Sequence, residues 1–114
     1  RRLMNIHPSL LPLYPGLNAH ARALKNGDLY AGATVHYVTT DLDGGPAILQ
    51  GRVAIRENDD EKTLASRVLT VEHKIYPLAV NWHLSGRLNW QLNRPKLDGR
   101  TLPNNGIQWT EGLT

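Results

Sequence analysis

The sequence contains no cysteine and no phenylalanine, and no run of apolar residues in it approaches the length of a membrane span. Without cysteine, the 114 residues can form neither disulfides nor thiolate metal sites, and a cysteine nucleophile is excluded. This absence is typical of a cytoplasmic protein. Hydrophobic residues make up 40% of the chain and charged residues 20%, which predicts one globular domain.

Positive charge is in modest excess, with a formal net charge of +3, but lysine and arginine are scattered and form no dense block. A basic surface that attracts small anions fits this pattern better than a nucleic-acid site does. An RNA-binding sheet face would interleave basic and aromatic side chains, and the chain has only three tryptophans and four tyrosines. We therefore predict neither a nucleic-acid partner nor a membrane partner.

Hydrophobic periodicity predicts three strands and two helices, in the order strand 3–6, helix 19–25, strand 31–39, strand 47–55 and helix 61–85. This alternation favours an α/β fold with a mixed, partly parallel sheet and a long C-terminal helix. Further short strands are expected near 87–92 and 96–101. The predicted domain covers residues 1–103, and 104–114 are expected to form a loosely ordered tail.

The long helix carries a core-facing stripe formed by Leu64, Val68, Val71, Ile75, Leu78 and Trp82. Asn58 and Glu61 resemble a capping box at its start, and Gly86 is placed to end it. Pro77 lies inside the helix and predicts a kink. Asn18 is the expected N-cap of the first helix.

Three polar features lie at predicted strand ends or in loops, where open α/β sheets bind their ligands. Asn5 and His7 close the first strand, two residues apart, so both side chains point the same way. An amide can donate to a developing oxyanion, and an imidazole can move protons near neutral pH. Asp43, in the glycine turn that follows the strand carrying His36, could fix the imidazole in its charged form.

Each of these residues also has a structural interpretation. A histidine after a strand is often a hydrogen-bonded structural residue, and Asp-Gly-Gly is a common turn that would explain Asp43 alone. His20, His36 and Asp43 could bind zinc or iron, but no metal-ligand spacing is present, so we predict no metal. Ser9 lies in no nucleophile elbow, which removes the serine triad.

Four segments together carry a resemblance to a known family. They are NIHPSLLPLYPG (5–16), GATVHYV (32–38), LDGGPAILQ (42–50) and EHKIYP (72–77). In this order they resemble the second half of the phosphoribosylglycinamide formyltransferases, which are folate-dependent enzymes of purine synthesis. The resemblance implies the second half of the formyltransferase fold. The N-terminal Rossmann-like half has no counterpart here, so we expect the chain to be part of a longer protein.

The resemblance also implies an activity and its catalytic residues. A formyl group would pass from 10-formyltetrahydrofolate to the amine of glycinamide ribonucleotide by direct attack of the amine, without a metal. Asn5, His7 and Asp43 match the catalytic asparagine, histidine and aspartate of the family. His36 matches a supporting histidine. Asn18 stands where other members carry histidine or asparagine and is a supporting candidate.

Further residues would bind the two substrates. Glu72 matches a glutamate that contacts the ribose of the ribonucleotide. The folate pterin would bind, largely through the backbone, at Thr39, Thr40, Asp41, Leu42, Asp43 and Gly44. The missing N-terminal half would complete both pockets and is an expected partner of this chain.

Other functions stay open at this point. The nearest rivals are folate enzymes of the same fold, namely formyltetrahydrofolate hydrolase, methionyl-tRNA formyltransferase and sugar formyltransferase. A second alternative is an inactive fragment or binding module, and we expect residues 1–114 alone to have little or no activity. The sequence leaves a homodimer open.

Overall fold

Residues 3–114, the part of the chain that this computed structural model describes, contain seven strands and two helices. In chain order the elements are β1 (Met4–His7), α1 (Ala19–Lys25), β2 (Tyr30–Tyr37), β3 (Ala47–Ala54), α2 (Glu61–Leu84), β4 (Leu88–Gln91), β5 (Arg94–Leu97), β6 (Arg100–Thr101) and β7 (Ile107–Gln108). The predicted domain range of 1–103 begins with two residues that lie outside this description.

The larger sheet has the strand order β1-β2-β3-β7. β1 and β2 are antiparallel, as are β2 and β3, whereas β3 and β7 are parallel. The prediction of an α/β fold with a mixed, partly parallel sheet is therefore confirmed. The parallel pair is formed by β7, which is too short to give a periodic signal in the sequence.

The segment 104–114 differs from the loosely ordered tail that the sequence predicts. Beside β7, the backbone N–H of Trp109 donates to the carbonyl of Gln50 at 2.7 Å. The side chain of Gln108 donates to the side-chain oxygen of Gln50 at 2.9 Å. Ile107, Trp109 and Leu113 pack against the core. Part of this segment is therefore an edge of the main sheet.

Helix α1 begins after Asn18, as predicted, but Asn18 does not cap it with its side chain. The residue is left-handed, with φ at 61°, and this conformation turns the side chain away from the usual capping position. At the other end, Gly27 adopts φ of 71° and its N–H donates to the carbonyl of Leu24 at 3.1 Å. This glycine conformation is a common way to end a helix.

Helix α2 is capped by residues other than the predicted pair. Asp60 is the N-cap: its side chain accepts from the N–H of Thr63 at 2.8 Å, and the Thr63 hydroxyl accepts from the N–H of Asp60 at 3.0 Å. The predicted box of Asn58 and Glu61 is wrong, because the N-cap lies two residues later, at Asp60, and its box partner is Thr63. Gly86, with φ of 79°, follows the end of the helix as expected.

The buried stripe of α2 packs on β2 and β3 and forms the main core. Its members are Leu64, Val68, Val71, Ile75, Ala79 and Trp82. Leu78 is only partly buried, and Ala79 takes the inner position instead. A side chain at Gly51 would place its Cβ 2.2 Å from Cγ1 of Val71, so glycine allows the helix to approach β3 closely. The helix continues through Pro77.

A second sheet, with the order β4-β5-β6, follows α2. The strand expected near 87–92 is β4, whereas the region near 96–101 contains the end of β5 and all of β6. Trp90 contacts Tyr37 of β2 edge to face, with ring centroids 5.0 Å apart. Neither helix in residues 3–114 has the length and apolarity needed to cross a membrane.

Candidate active site

The antiparallel pairing of β1 with β2 brings three candidate residues together. Asn5 lies opposite His36, and His7 lies opposite Thr34. Because side chains alternate along a strand, Asn5 and His7 share one face of the sheet, and Ile6 packs against the core on the other. Asn5 is exposed, whereas His7 and His36 are only 6% and 3% exposed.

Asp43 lies between the two histidines. Its Oδ2 is 3.3 Å from Nδ1 of His7, and its Oδ1 is 3.6 Å from Nε2 of His36. The backbone N–H of Gly16 donates to the same Oδ2 at 2.8 Å. The side chain of Asp43 is 9% exposed, so this carboxylate is held largely out of water and in contact with both rings.

His7 faces an acceptor at each ring nitrogen. Its Nε2 lies 2.7 Å from the carbonyl oxygen of Tyr14, and its Nδ1 faces Asp43. A carbonyl oxygen can only accept, so Nε2 is the donor in the first contact. Only the protonated ring donates at both nitrogens, so the geometry fits a ring with a proton on each nitrogen.

His36 on β2 faces the same carboxylate. Its Nδ1 lies 3.1 Å from the carbonyl oxygen of Tyr37. Its Nε2 is buried and, within residues 3–114, has no hydrogen-bond partner, because 3.6 Å to Asp43 is too long. A β-bulge between Val35 and His36 shifts the register with β3 at this point. Such bulges re-aim side chains beside functional sites.

A buried polar network fixes the proline loop against the sheet beside His7. The hydroxyl of Thr34 donates to the carbonyl of Ser9 at 2.8 Å and accepts from the N–H of Leu11 at 3.1 Å. The side-chain amide of Gln50 donates to the carbonyl of Leu11 at 2.7 Å and to the Thr34 hydroxyl at 3.0 Å. The loop is therefore pinned by side chains of β2 and β3.

An open depression lies next to Asp43. Its walls include three of the candidate residues, Asn5, His36 and Asp43. The remaining lining is Val38, Thr39, Thr40, Asp41 and Leu42. Four of the predicted folate-binding residues besides Asp43 thus line the same depression as Asn5 and Asp43, whereas His7 is not part of its lining. Gly44 lies beyond it and lines a neighbouring hollow.

The loop between β2 and β3 depends on close backbone approach. A Cβ on Gly45 would lie 1.7 Å from the carbonyl oxygen of Tyr37, which no side chain can occupy. The N–H of Tyr37 donates to the carbonyl of Pro46 at 2.9 Å and closes the loop. Asp43 itself adopts a left-handed φ of 50°, a strained conformation of the kind that clusters at functional sites.

Two further ionisable groups lie close enough to His7 for its charge to act on them. Burial raises the pKa of the Glu72 carboxyl, while the charges of His73 and His7 act in the opposite direction. Burial also lowers the pKa of His20, against the effect of Glu61, and the charge of His7 lowers it further. Glu72 and His20 are therefore electrostatic neighbours of His7.

Two observations mark the limits of the sequence prediction. Asn18 is exposed, and within residues 3–114 no hydrogen bond joins its side chain to His7 or Asp43. The backbone groups of Tyr14 and Gly16, which contact the site directly, were not predicted. The only available signal was the position of Pro15 and Gly16 in a turn, since a backbone contact has no residue-type signature.

The arrangement can perform proton transfer and oxyanion stabilisation. An exposed amide, a buried imidazole and a carboxylate meet beside one depression, which suits direct attack on a carbonyl carbon. Within the described part of the chain, no cluster of three histidine, aspartate or glutamate side chains is arranged to hold a metal ion.

Comparison with known proteins identifies the family of the chain. Residues 1–80 match the Formyl transferase family. The phosphoribosylglycinamide formyltransferase of Escherichia coli strain K12 is 53% identical over 105 residues, which covers 92% of this chain and 50% of that relative. The chain thus spans about half the length of the curated relative.

Solved structures show the same relationship. A phosphoribosylglycinamide formyltransferase from Coxiella burnetii is 50% identical, with a TM-score of 0.89 over 94% of this chain and 50% of its own. A formyltetrahydrofolate deformylase from Pseudomonas syringae is 32% identical, with a TM-score of 0.77 over 82% of this chain and 32% of its own. The family match covers well over half of the chain, and the chain belongs to the Formyl transferase family.

Proposed function

We propose that the complete protein transfers a formyl group from 10-formyltetrahydrofolate to the amine of glycinamide ribonucleotide. The observation that carries the proposal is the contact of Asp43 with His7 and His36, beside a depression that Asn5 also lines. The choice of acceptor is supported by the similarity to phosphoribosylglycinamide formyltransferases.

In this proposal the amine attacks the formyl carbon, a new N–C bond forms, and the bond from that carbon to the folate nitrogen breaks. Asn5 donates to the oxygen of the tetrahedral intermediate. Protonated His7 donates to it through Nδ1, the ring nitrogen that faces Asp43 at 3.3 Å, while Nε2 keeps its contact with the Tyr14 carbonyl. His7 and Asp43 move the proton from the attacking amine toward the departing folate nitrogen. No covalent nucleophile is needed, since the amine attacks directly. Loss of one such donor typically costs about 3 kcal/mol of transition-state stabilisation.

The two substrates would bind at different groups of residues. The loop residues Thr39, Thr40, Asp41, Leu42 and Gly44, with Asp43, would bind the folate pterin through their backbone. Glu72, an electrostatic neighbour of His7 on α2, would accept hydrogen bonds from the ribose of the ribonucleotide. This division places the amine and the formyl carbon next to the imidazole.

We further propose that an N-terminal half, of the kind that the resemblance implies, supplies the remaining walls of both pockets. The depression beside Asp43 is open in this chain, so it would not exclude water from the reaction. Residues 1–114 alone should therefore show little or no turnover. A cytoplasmic location agrees with the absence of cysteine.

One rival activity has a specific observation in its favour. The Pseudomonas syringae structure of similar fold is named a formyltetrahydrofolate deformylase. The same amide, imidazole and carboxylate could direct water, rather than an amine, at the formyl carbon. In that case the formyl group would be released as formate.

The test is a panel of acceptors with 10-formyltetrahydrofolate labelled in its formyl group. Residues 1–114, joined to the N-terminal half of the Escherichia coli relative, are mixed with glycinamide ribonucleotide, an amino-sugar nucleotide, methionyl-tRNA or water alone. We expect label in formylated glycinamide ribonucleotide and little formate. Transfer to another acceptor, or formate as the main product, would reject the proposal.

A further inference from the structure

The segment from Tyr14 to Leu17 touches two candidate catalytic residues through its backbone alone. The carbonyl of Tyr14 accepts from Nε2 of His7 at 2.7 Å. Two residues later, the N–H of Gly16 donates to Oδ2 of Asp43 at 2.8 Å. The position of this short segment therefore sets the orientation of both the imidazole and the carboxylate.

The segment cannot hold this position by regular backbone structure. Tyr14 has φ of 52° and Gly16 has φ of 83°, so left-handed residues alternate with Pro15. Within residues 3–114, no backbone-to-backbone hydrogen bond involves residues 14–17. Irregular backbone of this kind is costly unless its surroundings fix it.

Arg22 of α1 provides the fixing contacts. Its Nη1 donates to the carbonyl of Pro15 at 2.6 Å and to the carbonyl of Leu17 at 2.9 Å. Its Cζ lies 5.2 Å from the centre of the Tyr14 ring, within the range of a cation–π contact. One guanidinium thus contacts three of the four residues of the segment.

A second contact holds the same segment from beyond the end of α1. The hydroxyl of Tyr14 donates to Oδ2 of Asp28 at 2.6 Å. This bond is the largest cause of the raised pKa of the Tyr14 hydroxyl. Asp28 is itself held by the side chain of Asn26, which donates to its other oxygen at 2.8 Å.

We propose that Arg22 is a positioning residue for formyl transfer, and that Tyr14 and Asp28 assist it. Arg22 does not touch the reacting atoms. It holds the carbonyls of Pro15 and Leu17, and this keeps the Tyr14 carbonyl on His7 and the Gly16 N–H on Asp43. The kinetic part of this inference rests on the proposed function, whereas the structural part does not.

The structural part is tested on residues 1–114 by NMR of ¹⁵N-labelled histidine, with the His7 signal assigned by its loss in His7→Ala. Because Nε2–H of His7 donates to a backbone carbonyl, its exchange with solvent should be slow in the unchanged chain. We expect Arg22→Ala to speed this exchange about tenfold or more. Arg22→Lys keeps one donor group, so its exchange rate should fall between those of the unchanged chain and Arg22→Ala.

The matched control is Lys25→Ala, which removes an exposed positive charge from the same helix. It should leave the exchange rate of His7 unchanged. Tyr14→Phe removes only the bond to Asp28 and should speed exchange by a smaller factor. If Arg22→Ala fails to fold, Arg22→Lys and Tyr14→Phe carry the test, and an unchanged rate in both would overturn the proposal.

The kinetic part uses the same variants in the chain joined to the Escherichia coli N-terminal half. A misplacement of about 1 Å can cost up to about 100-fold in rate, so Arg22→Ala should lower kcat by about 10- to 100-fold. KM for either substrate should change less than about threefold, and Lys25→Ala should match the unchanged protein. Equal kcat in Arg22→Ala and Lys25→Ala would overturn the proposal.

The two parts separate this inference from the proposed function. If the unchanged protein transfers no formyl group but His7 exchange responds to Arg22→Ala, the proposed function fails and the positioning role of Arg22 stands. If transfer occurs but neither exchange nor kcat responds, the function stands and the positioning role fails.

Discussion

Two aspartates of this chain both have largely buried side chains, but the partners of their carboxylates differ. Asp43 is 9% exposed and contacts the rings of His7 and His36. Asp59, just before α2, is 4% exposed, and its oxygens accept hydrogen bonds from the guanidinium of Arg67. Each carboxylate also accepts from a backbone N–H, at 2.8 Å and 2.7 Å respectively.

The difference lies in whether the partner can change its charge. An arginine stays protonated at every pH at which the protein is folded, whereas a histidine changes charge near neutral pH. The hydrogen bonds from Arg67 hold the pKa of Asp59 well below its usual range. We infer that Asp59 stabilises the turn before α2, whereas Asp43 lies where protons can be moved.

The largest effect should follow His7→Ala. The change removes both the oxyanion donor and the proton carrier, so kcat should fall about 1,000-fold. The measurement is single-turnover formyl transfer by the chain joined to the Escherichia coli N-terminal half. His83→Ala, which removes an exposed histidine from the last turn of α2, is the control. A His7→Ala rate within tenfold of the control would contradict the assigned role.

The local parts of the site could be predicted from the sequence, and the long-range parts could not. Asn5 and His7 are two residues apart on one strand, so their common direction follows from strand geometry. The sequence made Asp43 a candidate partner of His7, but 36 positions separate the two residues, and only the resemblance favoured the catalytic interpretation over a turn. The contact between His7 and the Tyr14 carbonyl depends on the path of an irregular loop, which side-chain type does not specify.

The same distinction applies to the fold. The stripe of α2 could be predicted because a 24-residue helix repeats its periodic signal many times. The strand at Ile107–Gln108 has two residues and gave no such signal. The cap at Asp60 was missed because several neighbouring residues, including Asn58, are equally good N-caps by type.

Glu72 differs from both aspartates because burial, rather than a bonded partner, has the largest effect on its pKa. Its substitution should have a smaller effect than His7→Ala. Burial raises the pKa of Glu72, so the folded chain loses stability as the pH rises from the usual glutamate value through the raised one. Glu72→Gln should therefore be more stable than the unchanged chain at pH 7, with a smaller difference at pH 4. Denaturant unfolding at the two pH values measures this.

The same substitution should raise KM for glycinamide ribonucleotide about tenfold, because the hydrogen-bond acceptor loses its negative charge. Steady-state kinetics in the joined protein measures KM, and Glu57→Gln, in an exposed turn, serves as the control. Unchanged stability together with unchanged KM would remove Glu72 from the site.

The smallest effect is expected at the start of α2. Thr63→Ala breaks the capping box with Asp60 and should lower the free energy of unfolding by about 1 kcal/mol. Formyl transfer should be unaffected, since within residues 3–114 the Thr63 hydroxyl bonds only to Asp59 and Asp60, and none of these three residues lines the depression beside Asp43. Urea unfolding and initial rates check the two expectations. A lower rate of formyl transfer without a lower free energy of unfolding would show that the start of α2 takes part in the reaction.

The central claim is tested most directly by comparing formyl transfer and stability in Asp43→Asn and Asp59→Asn. We predict that Asp43→Asn lowers kcat about 100-fold and leaves stability nearly unchanged. Asp59→Asn should keep the rate and lower the stability at neutral pH. That loss should shrink as the pH falls below the usual aspartate value of 3.8, because the pKa of Asp59 is lowered in the folded chain. Equal rates in the two variants would contradict the account.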